Sequence, residues 1–242
     1  MGTPRTFSRI LHEHTTFHAA WYPVANTWSV GDIGVVSDGV LVRTGNLADL
    51  GVNFAAAPTA PVHGLNFTSE GTKSARFLGD AEVNALPDSD IEARLNVEFT
   101  KSESFFLKAA TLRVEEMTGL DSVAAELSKL RDRRWRRKYR VVHATAAADQ
   151  LAFVSAREAG ASFEIRGTAR ALQQLDLGKA EAGLEIVSSS SLGLDFVGDS
   201  GIIGIRLFKL GPWRGGLRLL GPDEGEELTV DQETDHALAD DV

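Results

Sequence analysis

The chain has 242 residues, 43% of them hydrophobic and 24% charged, which is long enough to bury a core and typical of a globular protein, not of a disordered one. It has no cysteine, which excludes disulfide bonds, thiol catalysis and cysteine-ligated zinc and fits a reducing compartment. The sequence contains no apolar run of about eighteen residues and begins without the apolar core of a secretory signal, so we expect a cytoplasmic protein without a transmembrane helix.

The net charge of −9 resides in the C-terminal end of the chain. Residues 223–242 hold nine acidic side chains and no Lys or Arg, so the rest of the chain balances 25 acidic against 25 basic residues. Within that neutral remainder, residues 131–140 concentrate seven bases in ten positions. This separation of opposite charges predicts a body, 1–212, and a distinct acidic tail, 213–242.

The first predicted elements are β-strands. Residues 30–36 and 40–43 are β-prone runs joined by a Ser-Asp-Gly turn at 37–39, which predicts a hairpin. Gly45-Asn46 is expected to end the second strand. Residues 55–69 contain two prolines and a glycine, and we expect a loop there.

The clearest periodicity lies between residues 92 and 114. Apolar residues at 93, 95, 97 and 99 alternate with polar ones, which predicts a strand with one apolar and one polar face. After a polar turn at 101–104 the alternation resumes from Phe106 to Val114, and Lys108 interrupts its apolar face.

A helix is predicted to follow, from Thr118 to Leu130. Thr118 is suited to cap it, Asp121 suits the positive end of the helix dipole, and apolar residues then recur every three or four positions. Further strands are expected at 139–144, 151–157, 162–166, 183–187, 192–197 and 202–210, with a short helix at 168–177.

Strands outnumber helices in this pattern, most connections are short, and no alternation of strand, helix and parallel strand occurs. The pattern therefore predicts an α+β fold, a twisted and mostly antiparallel sheet with peripheral helices.

Two motifs contain residue types that occur in catalytic sites. Gly198-Asp199-Ser200-Gly201 matches the string around the nucleophile of trypsin-like proteases, but no suitably placed histidine motif accompanies it. We interpret it as a turn between two strands. His12, His14 and His18 share one face neither as a strand nor as a helix, so surface histidines are favoured over a metal-dependent enzyme. No phosphate-binding glycine motif occurs. We expect a protein without catalytic site, metal or cofactor.

The basic cluster has three interpretations. Cations at a helix C-terminus account for one or two bases, not seven. Nucleic-acid binding would use arginines for phosphates and aromatic rings for bases, yet the sequence offers no second basic patch. Near an anionic membrane each base contributes about 1 kcal/mol to the binding free energy, so seven bases would suffice for recruitment. A tryptophan suits the membrane interface. We favour lipid, through Arg131, Arg133, Arg134, Trp135, Arg136, Arg137, Lys138 and Arg140.

The acidic tail is expected to cover this basic cluster until the tail is removed. Arg214 and Arg218, set among glycines between body and tail, are the candidate cleavage sites for an activating protease.

Residues 109–130 and 139–144 resemble the gasdermin pore-forming domain, in which a TLxV strand leads into a short charged helix and then a YVV strand. Residues 180–182 and 203–210 are similar to that domain's later strands, and residues 45–52 lie where it carries a GNFGF-like segment. The resemblance spans about residues 45–210.

This resemblance implies a domain that forms homo-oligomers on membranes and inserts amphipathic hairpins as a barrel, in cell death and antiviral defence. The hairpin candidates are about 78–116 and 139–196. Bacterial members carry a short inhibitory C-terminal segment, which a protease removes, and typically an acylated cysteine near the N-terminus. This chain has no cysteine, which favours tail removal as its switch.

The leading hypothesis is therefore a pore-forming effector, latent in the cytoplasm and bound to the inner face of the cell membrane when active. The alternative is a non-enzymatic binding module whose basic helix holds nucleic acid or an acidic protein partner.

Overall fold

The computed structural model describes residues 3–22, 26–37, 40–130, 135–176, 184–188, 192–211 and 217–220. The helices are α1 (Thr3–Thr15), α2 (Leu120–Lys129) and α3 (Ala169–Asp176), with a 3-10 turn at Leu47–Leu50. The strands are β1 (His18–Ala19), β2 (Asp32–Ser37), β3 (Val40–Asn46), β4 (Ala55–Pro58), β5 (Val62–Thr68), β6 (Thr72–Leu78), β7 (Ala81–Val83), β8 (Glu92–Phe99), β9 (Phe105–Thr118), β10 (Arg140–Ala156), β11 (Ala161–Thr168), β12 (Glu185–Ser188), β13 (Leu192–Leu210) and β14 (Leu217–Leu219).

The strands form two antiparallel sheets. In the first sheet β10 lies between β13 and β9, with β1 and β14 on β13, β4 and β5 on β9, and the β2–β3 hairpin beside the start of β10. The second sheet has the order β12-β11-β8-β6-β7. The predicted α+β class with a mostly antiparallel sheet is confirmed.

Four stretches of chain pass from one sheet into the other. They run from β5 into β6, from β8 into β9, from β10 into β11 and from β12 into β13. The first sheet pairs them in the order β5-β9-β10-β13 and the second in the order β6-β8-β11-β12. The four stretches therefore keep the same neighbours in both sheets, and we call them together the ribbon.

Helices cover the apolar faces of the sheets. Phe7 and Leu11, four residues apart on α1, are buried against Phe105 and Phe153 of the first sheet. α3 buries alanine and leucine side chains against β8 and β11 of the second sheet. α2 and Trp135 pack with Phe208 in a further core cluster. Each helix is thus held by one apolar face.

Most of the expected strands and both expected helices are found, but several boundaries were wrong. The hairpin of β2 and β3 is confirmed, with residues 38–39 of its turn outside the described part of the chain. β3 continues through Gly45-Asn46 because both residues pair with β2. The expected loop at 55–69 is wrong, because β4 and β5 obtain their hydrogen bonds from β9.

Two expected interruptions are also absent. The runs 139–144 and 151–157 are parts of one strand, β10, and the Gly198–Gly201 motif lies inside β13 where a turn was expected. The pairing of β10 with β13 is irregular near both places, which lets the strands continue past residues with weak β-propensity.

The start of α2 differs from the expectation as well. Gly119, with a φ of +67°, caps this helix, and the Thr118 hydroxyl instead donates to the Ala55 carbonyl. Asp121 lies in the first turn, as predicted.

Candidate functional site

The ribbon bends where it passes between the sheets. The described turns of this bend are residues 69–71, 100–104 and 157–160, and the fourth connection, 189–191, lies outside the described residues. On the first-sheet side Phe105 pairs with Ser155, and on the second-sheet side Phe99 pairs with Ala161. Five residues lie between the two pairs on each strand, 100–104 on one and 156–160 on the other. The two central strands, β8–β9 and β10–β11, therefore resume pairing without a change of register.

The outer strands keep their order with a small offset. Thr68 pairs with Phe106 before the bend, and Thr72 pairs with Phe99 after it. Three residues therefore lie in one strand's turn against six in the other's, and only the central pair of strands is in register through the bend.

Backbone hydrogen bonds reach the bend from both sides. The Ala156 amide donates to the Ser104 carbonyl at 2.8 Å, and the Gly160 amide donates to the Phe99 carbonyl at 2.7 Å. The neighbouring pair of strands is joined by the Thr100 amide, which donates to the Gly71 carbonyl at 2.9 Å. The bend therefore interrupts the pairing for only a few residues.

A residue with positive φ lies in each described turn of the bend. Gly71 and Gly160 both have a φ of +84°, and Glu103 has a φ of +56°. Glycine adopts this region freely, whereas another L-residue pays about 1 kcal/mol or more. The bend therefore depends on the backbone conformation of a few turn residues. The strand order is set by the pairing of the strands and not by these residues.

The second sheet has one apolar and one polar face. In β8, Ala93, Leu95, Val97 and Phe99 are buried, and the residues between them point the other way. The polar face carries cross-strand ion pairs, because Arg94 lies 4.0 Å from Glu164, which also pairs with Arg166. This partnership raises the pKa of Arg166, first through its hydrogen bond to Glu164. The alternation predicted for residues 92–100 is confirmed.

Helix α3 closes the apolar face of the second sheet by binding the loop at 84–91. The Arg170 guanidinium lies 2.7 Å from a carboxylate oxygen of Asp88 and 3.0 Å from one of Asp90. The Ala169 amide donates to the Ile91 carbonyl and the Arg170 amide to the Ser89 carbonyl. These contacts join the outer ends of β8 and β11, the part of the ribbon farthest from the first sheet.

The basic cluster is only partly exposed where it is described. Arg131, Arg133 and Arg134 lie outside the described residues. Trp135 is 7% exposed and packs edge-on against Tyr139 inside the core beside α2, so the expected interfacial position does not hold in this conformation.

The remaining bases of the cluster divide into one buried and three exposed side chains. Arg140 is buried, and its guanidinium donates to the carbonyls of Arg137 and Tyr139, so it holds the turn together. Arg136, Arg137 and Lys138 are exposed, and we call these three the basic turn. None of the ion pairs between described residues involves them.

The basic turn and the bend lie at opposite ends of the first sheet. β10 begins just after the basic turn and runs 17 residues to the bend, a length of about 55 Å at the rise of a strand.

The C-terminal residues extend the first sheet past residue 212. β14 pairs with the end of β13, and Leu217 packs against the core cluster that contains α2. Arg218 is exposed in this strand opposite Lys209, whereas Arg214 and the acidic residues 223–242 lie outside the described part of the chain. Arg218 thus lies in a paired strand at an edge of the sheet.

Where their side chains are described, the histidines and the Gly-Asp-Ser-Gly motif form no recognisable catalytic or metal site; the side chains of His14 and Asp199 lie outside the described part of the structure. His12 on α1 and His18 on β1 have ring centroids 4.9 Å apart. Among the described residues, no three His, Asp or Glu side chains are grouped so that they could hold a metal ion. Ser200 lies exposed in β13.

No helix in the described ranges is both long and apolar enough to cross a bilayer. The sequence pattern contained signals for part of the bend, since Gly71 and Gly160 each separate two β-prone runs. It contained no signal for the left-handed conformation of Glu103, because this residue type rarely adopts it.

The chain is similar in structure to two solved gasdermins. One is a bacterial gasdermin from Bradyrhizobium tropiciagri, with 14% identity over 83% of this chain and 85% of that chain and a TM-score of 0.37. The other is the gasdermin A3 membrane pore, with 11% identity over 90% of this chain and 94% of that chain and a TM-score of 0.31. These matches agree with the weak gasdermin-like resemblance found in the sequence.

No protein-family model matches the sequence, and no curated protein matches it. Both TM-scores are below 0.5, so the function proposed below depends on the contacts of this chain.

Proposed function

We propose that this chain is a gasdermin-like pore-forming effector, which is latent in the cytoplasm and oligomerises in anionic membrane after a protease removes its C-terminal tail. The observation that carries the proposal is the unbroken register of the two central strands across the bend. Straightening the bend would convert β8–β9 and β10–β11 into two long antiparallel strands that keep every existing pair between them.

Each of the two straightened strands is long enough to cross a membrane. Residues 92–104 and 157–168 extend beyond the first sheet, thirteen on one strand and twelve on the other, and a membrane-spanning β-strand needs about 9–11 residues. Every second position from Glu92 to Thr100 is polar, and the positions between hold the apolar residues of β8. Lys101 and Glu103, in the turn of the bend, interrupt this alternation. Such a segment can present one face to lipid and one to water.

Straightening would move apolar side chains of the second sheet from the protein core into lipid. The buried side chains of β8 and β11 would leave the core under α3 and enter lipid, so their removal from water is retained. The backbone hydrogen bonds between the two central strands can be kept because their register is unbroken. A strand in lipid needs these bonds, since lipid offers no other partners to its backbone. Straightening would break the packing of α3 on the second sheet and that of the side chains inside the bend. It would also shift the pairing of the outer strand formed by β5 and β6, whose register differs by three residues across the bend.

The basic turn supplies the attraction to anionic lipid. Arg136, Arg137 and Lys138 are exposed without a described carboxylate partner, and each base near an anionic surface contributes about 1 kcal/mol. Arg131, Arg133 and Arg134 are proposed to join them. Trp135 and Arg140 instead hold the turn in place from inside. Because of its distance from the bend, the basic turn would act in docking before insertion.

Cleavage at Arg214 or Arg218 would detach all nine acidic residues of the tail from the neutral body. The tail charge is proposed to shield the basic cluster in the latent protein, as opposite charges attract over short distances in physiological salt.

Leakage of dye from vesicles tests the proposal. Protein ending at Arg218 is expected to release dye from anionic vesicles and much less from neutral ones, and full-length protein to release little. A second measurement follows the bend itself. Cysteines introduced at the exposed positions Glu92 and Glu115 can carry a donor and an acceptor dye, and no native cysteine competes for labelling.

These two positions are 23 residues apart on β8–β9, which corresponds to about 75 Å on a straight strand. We expect the distance to lengthen to that value on anionic vesicles. Truncated protein that binds vesicles, keeps its short distance and releases no dye would disprove the proposal.

The exposed basic turn also fits the alternative, a non-enzymatic module that binds nucleic acid or an acidic protein. That function predicts salt-dependent binding to oligonucleotides, abolished when Arg136 and Arg137 are replaced by Ala, and no leakage from vesicles.

A further inference from the structure

A buried histidine lies where α1, β1 and three central strands meet. His143 on β10 is 4% exposed, and its Nδ1 has no hydrogen-bond partner. The nearest carboxylate oxygen belongs to Glu116 on β9, at 3.7 Å, which is too long for a hydrogen bond. Arg206 on β13 lies 3.9 Å from the other oxygen of Glu116. Among the described residues, Glu116 is the carboxylate that lies within 4.0 Å of His143, and His143 shares it with an arginine.

The same cluster fastens the N-terminal segment to the first sheet. The Arg206 guanidinium stacks on the ring of Phe17, 4.2 Å from its centroid, and contacts the Thr15 carbonyl at the end of α1. His18, in the adjacent β1, lies 3.4 Å through Nε2 from the Leu220 carbonyl. The N-terminal segment and the last described C-terminal residue thus meet at this cluster.

The charges facing His143 disfavour a further positive charge. Glu116 faces it from β9, Arg206 from β13 and His18 from β1, and the ring of His12 on α1 lies against His18. Phe208 of β13 adds an apolar ring 6.2 Å away. Burial, then the charges of Arg206 and His18, lowers the pKa of His143 to about 4. At neutral pH the ring is uncharged and compatible with its surroundings.

We propose that this cluster is an acid-sensitive lock, in which protonation of His143 loosens the α1–β1 segment from the first sheet. A proton on His143 places a cation beside Arg206, and the single facing carboxylate of Glu116 cannot neutralise both. We expect the contacts of Arg206 with Phe17 and Thr15 to break first. Both contacts are made by one side chain, so a single movement of the Arg206 guanidinium away from His143 would lose them together.

The direction of the pH effect follows from the two protonation equilibria. A loosened state exposes His143 to water, where its pKa is about 6.5, whereas in the closed state the pKa is about 4. The closed state is therefore fully stable above about pH 6.5 and loses stability as the pH falls toward 4. Between pH 7 and pH 5 the loosening equilibrium is expected to rise about 20-fold.

Loosening would uncover an apolar surface. Phe7 contacts Phe105 and Phe153 near the bend, and Leu11 belongs to the same core cluster. An uncovered face of this kind favours transfer to lipid, and in this respect the lock would assist the proposed function. The lock itself depends only on contacts within the closed protein.

Hydrogen exchange of the full-length protein tests the lock without any membrane. Protection factors of the amides of α1 and β1 are expected to fall about 20-fold from pH 7 to pH 5, while those of α3 stay constant. His143→Gln should abolish this difference. The matched control is His63→Gln, which replaces an exposed histidine of β5 and should keep the wild-type response.

A second measurement uses the wild-type protein, in case His143→Gln does not fold. The ring of His143, followed by NMR in the closed state, is expected to titrate near pH 4. A ring that titrates near pH 6.5 while α1 stays protected, or equal protection at pH 7 and pH 5, would overturn the lock. Neither result depends on vesicle leakage, so the lock and the pore can fail separately.

Discussion

Phe106 and Phe163 pack edge to face across the bend, with ring centroids 5.8 Å apart. The strand partner of Phe106 is Val154, and Phe163 lies nine residues beyond it along the chain. On a straight strand that separation would be about 30 Å. The contact between these two rings therefore exists only while the ribbon is bent, and it marks the conformation that the proposed function must leave.

Replacing Phe163 by Ala should favour the straight ribbon. Phe163 is buried, and removing a buried aromatic ring costs about 3–5 kcal/mol of stability. The inserted strand loses only the transfer of the ring out of water, whereas the bent form also loses its packing against Phe106, so truncated Phe163→Ala protein should release dye faster than truncated wild type. The measurements are urea unfolding and leakage from anionic vesicles.

Phe208→Ala is the matched control for Phe163→Ala. Phe208 is equally buried but lies in the cluster with α2, away from the bend. It should lose a similar amount of stability without an increase in the leakage rate. Equal acceleration by both substitutions would mean that general destabilisation, and not the bend, governs leakage.

Gly160→Ala should destabilise the bent conformation specifically. A Cβ at Gly160 meets nothing within 4 Å, so its cost comes only from the φ of +84° and amounts to about 1 kcal/mol. A straight strand has no such penalty, so we expect a rise of about fivefold in the leakage rate at equal protein concentration.

Gly79→Ala is a matched control for the glycine of the bend. Gly79 also has positive φ and open space around its missing Cβ, but it lies in the turn between β6 and β7. Both variants should lose about 1 kcal/mol on urea unfolding, and Gly79→Ala should leave leakage unchanged. The interpretation of the bend fails if the two variants leak alike.

Arg170→Ala should release α3 from the loop at 84–91. The ion pairs with Asp88 and Asp90 are solvent-exposed, so the free energy of unfolding should fall by only about 1 kcal/mol. Hydrogen exchange should nevertheless increase at the amides of Ala169 and Arg170, which donate to that loop. Arg9→Ala, which breaks the exposed pair with Glu13, should leave those amides protected.

Replacing Arg136, Arg137 and Lys138 together by Gln should weaken vesicle binding without affecting the fold. At about 1 kcal/mol for each base, the affinity of truncated protein for anionic vesicles should fall about 100-fold. The loss should shrink at high salt, since exposed charges are screened there.

A triple substitution of Lys73, Lys101 and Lys129 by Gln removes the same charge from other exposed positions. It should reduce binding much less than the change in the basic turn. A similar reduction by both triple variants would assign the attraction to net charge and remove the basic turn from the proposal.

The local sequence pattern was sufficient to predict a strand or a helix where one face of that element is buried. The alternation at 93–99 predicted β8, and the three- and four-residue spacing after Thr118 predicted α2, because both periods report the buried face directly. It was insufficient at 55–69, where prolines suggested a loop. Those residues form strands because β9 offers hydrogen-bond partners that no local pattern can show.

The basic cluster illustrates the same difference. Its charge density was evident from composition, and three of its bases are indeed exposed. The burial of Trp135 and Arg140 was not predicted, because it depends on residues from distant parts of the chain. Phe208 joins the core cluster of Trp135, and Gly34 of β2 pairs with Arg140. An aromatic ring among arginines has no local signal that separates a core position from an interfacial one.

By itself, the amino-acid sequence determined the fold class, the separation of basic and acidic segments and the polar and apolar faces of the main strands. These properties follow from residue type and spacing, which act over a few positions. Only the tertiary structure decided that four stretches of chain keep one strand order on both sides of a bend, and that His143 lies against Arg206. Strand pairing joins residues far apart in the chain, so register and buried charge are settled only when the strands meet.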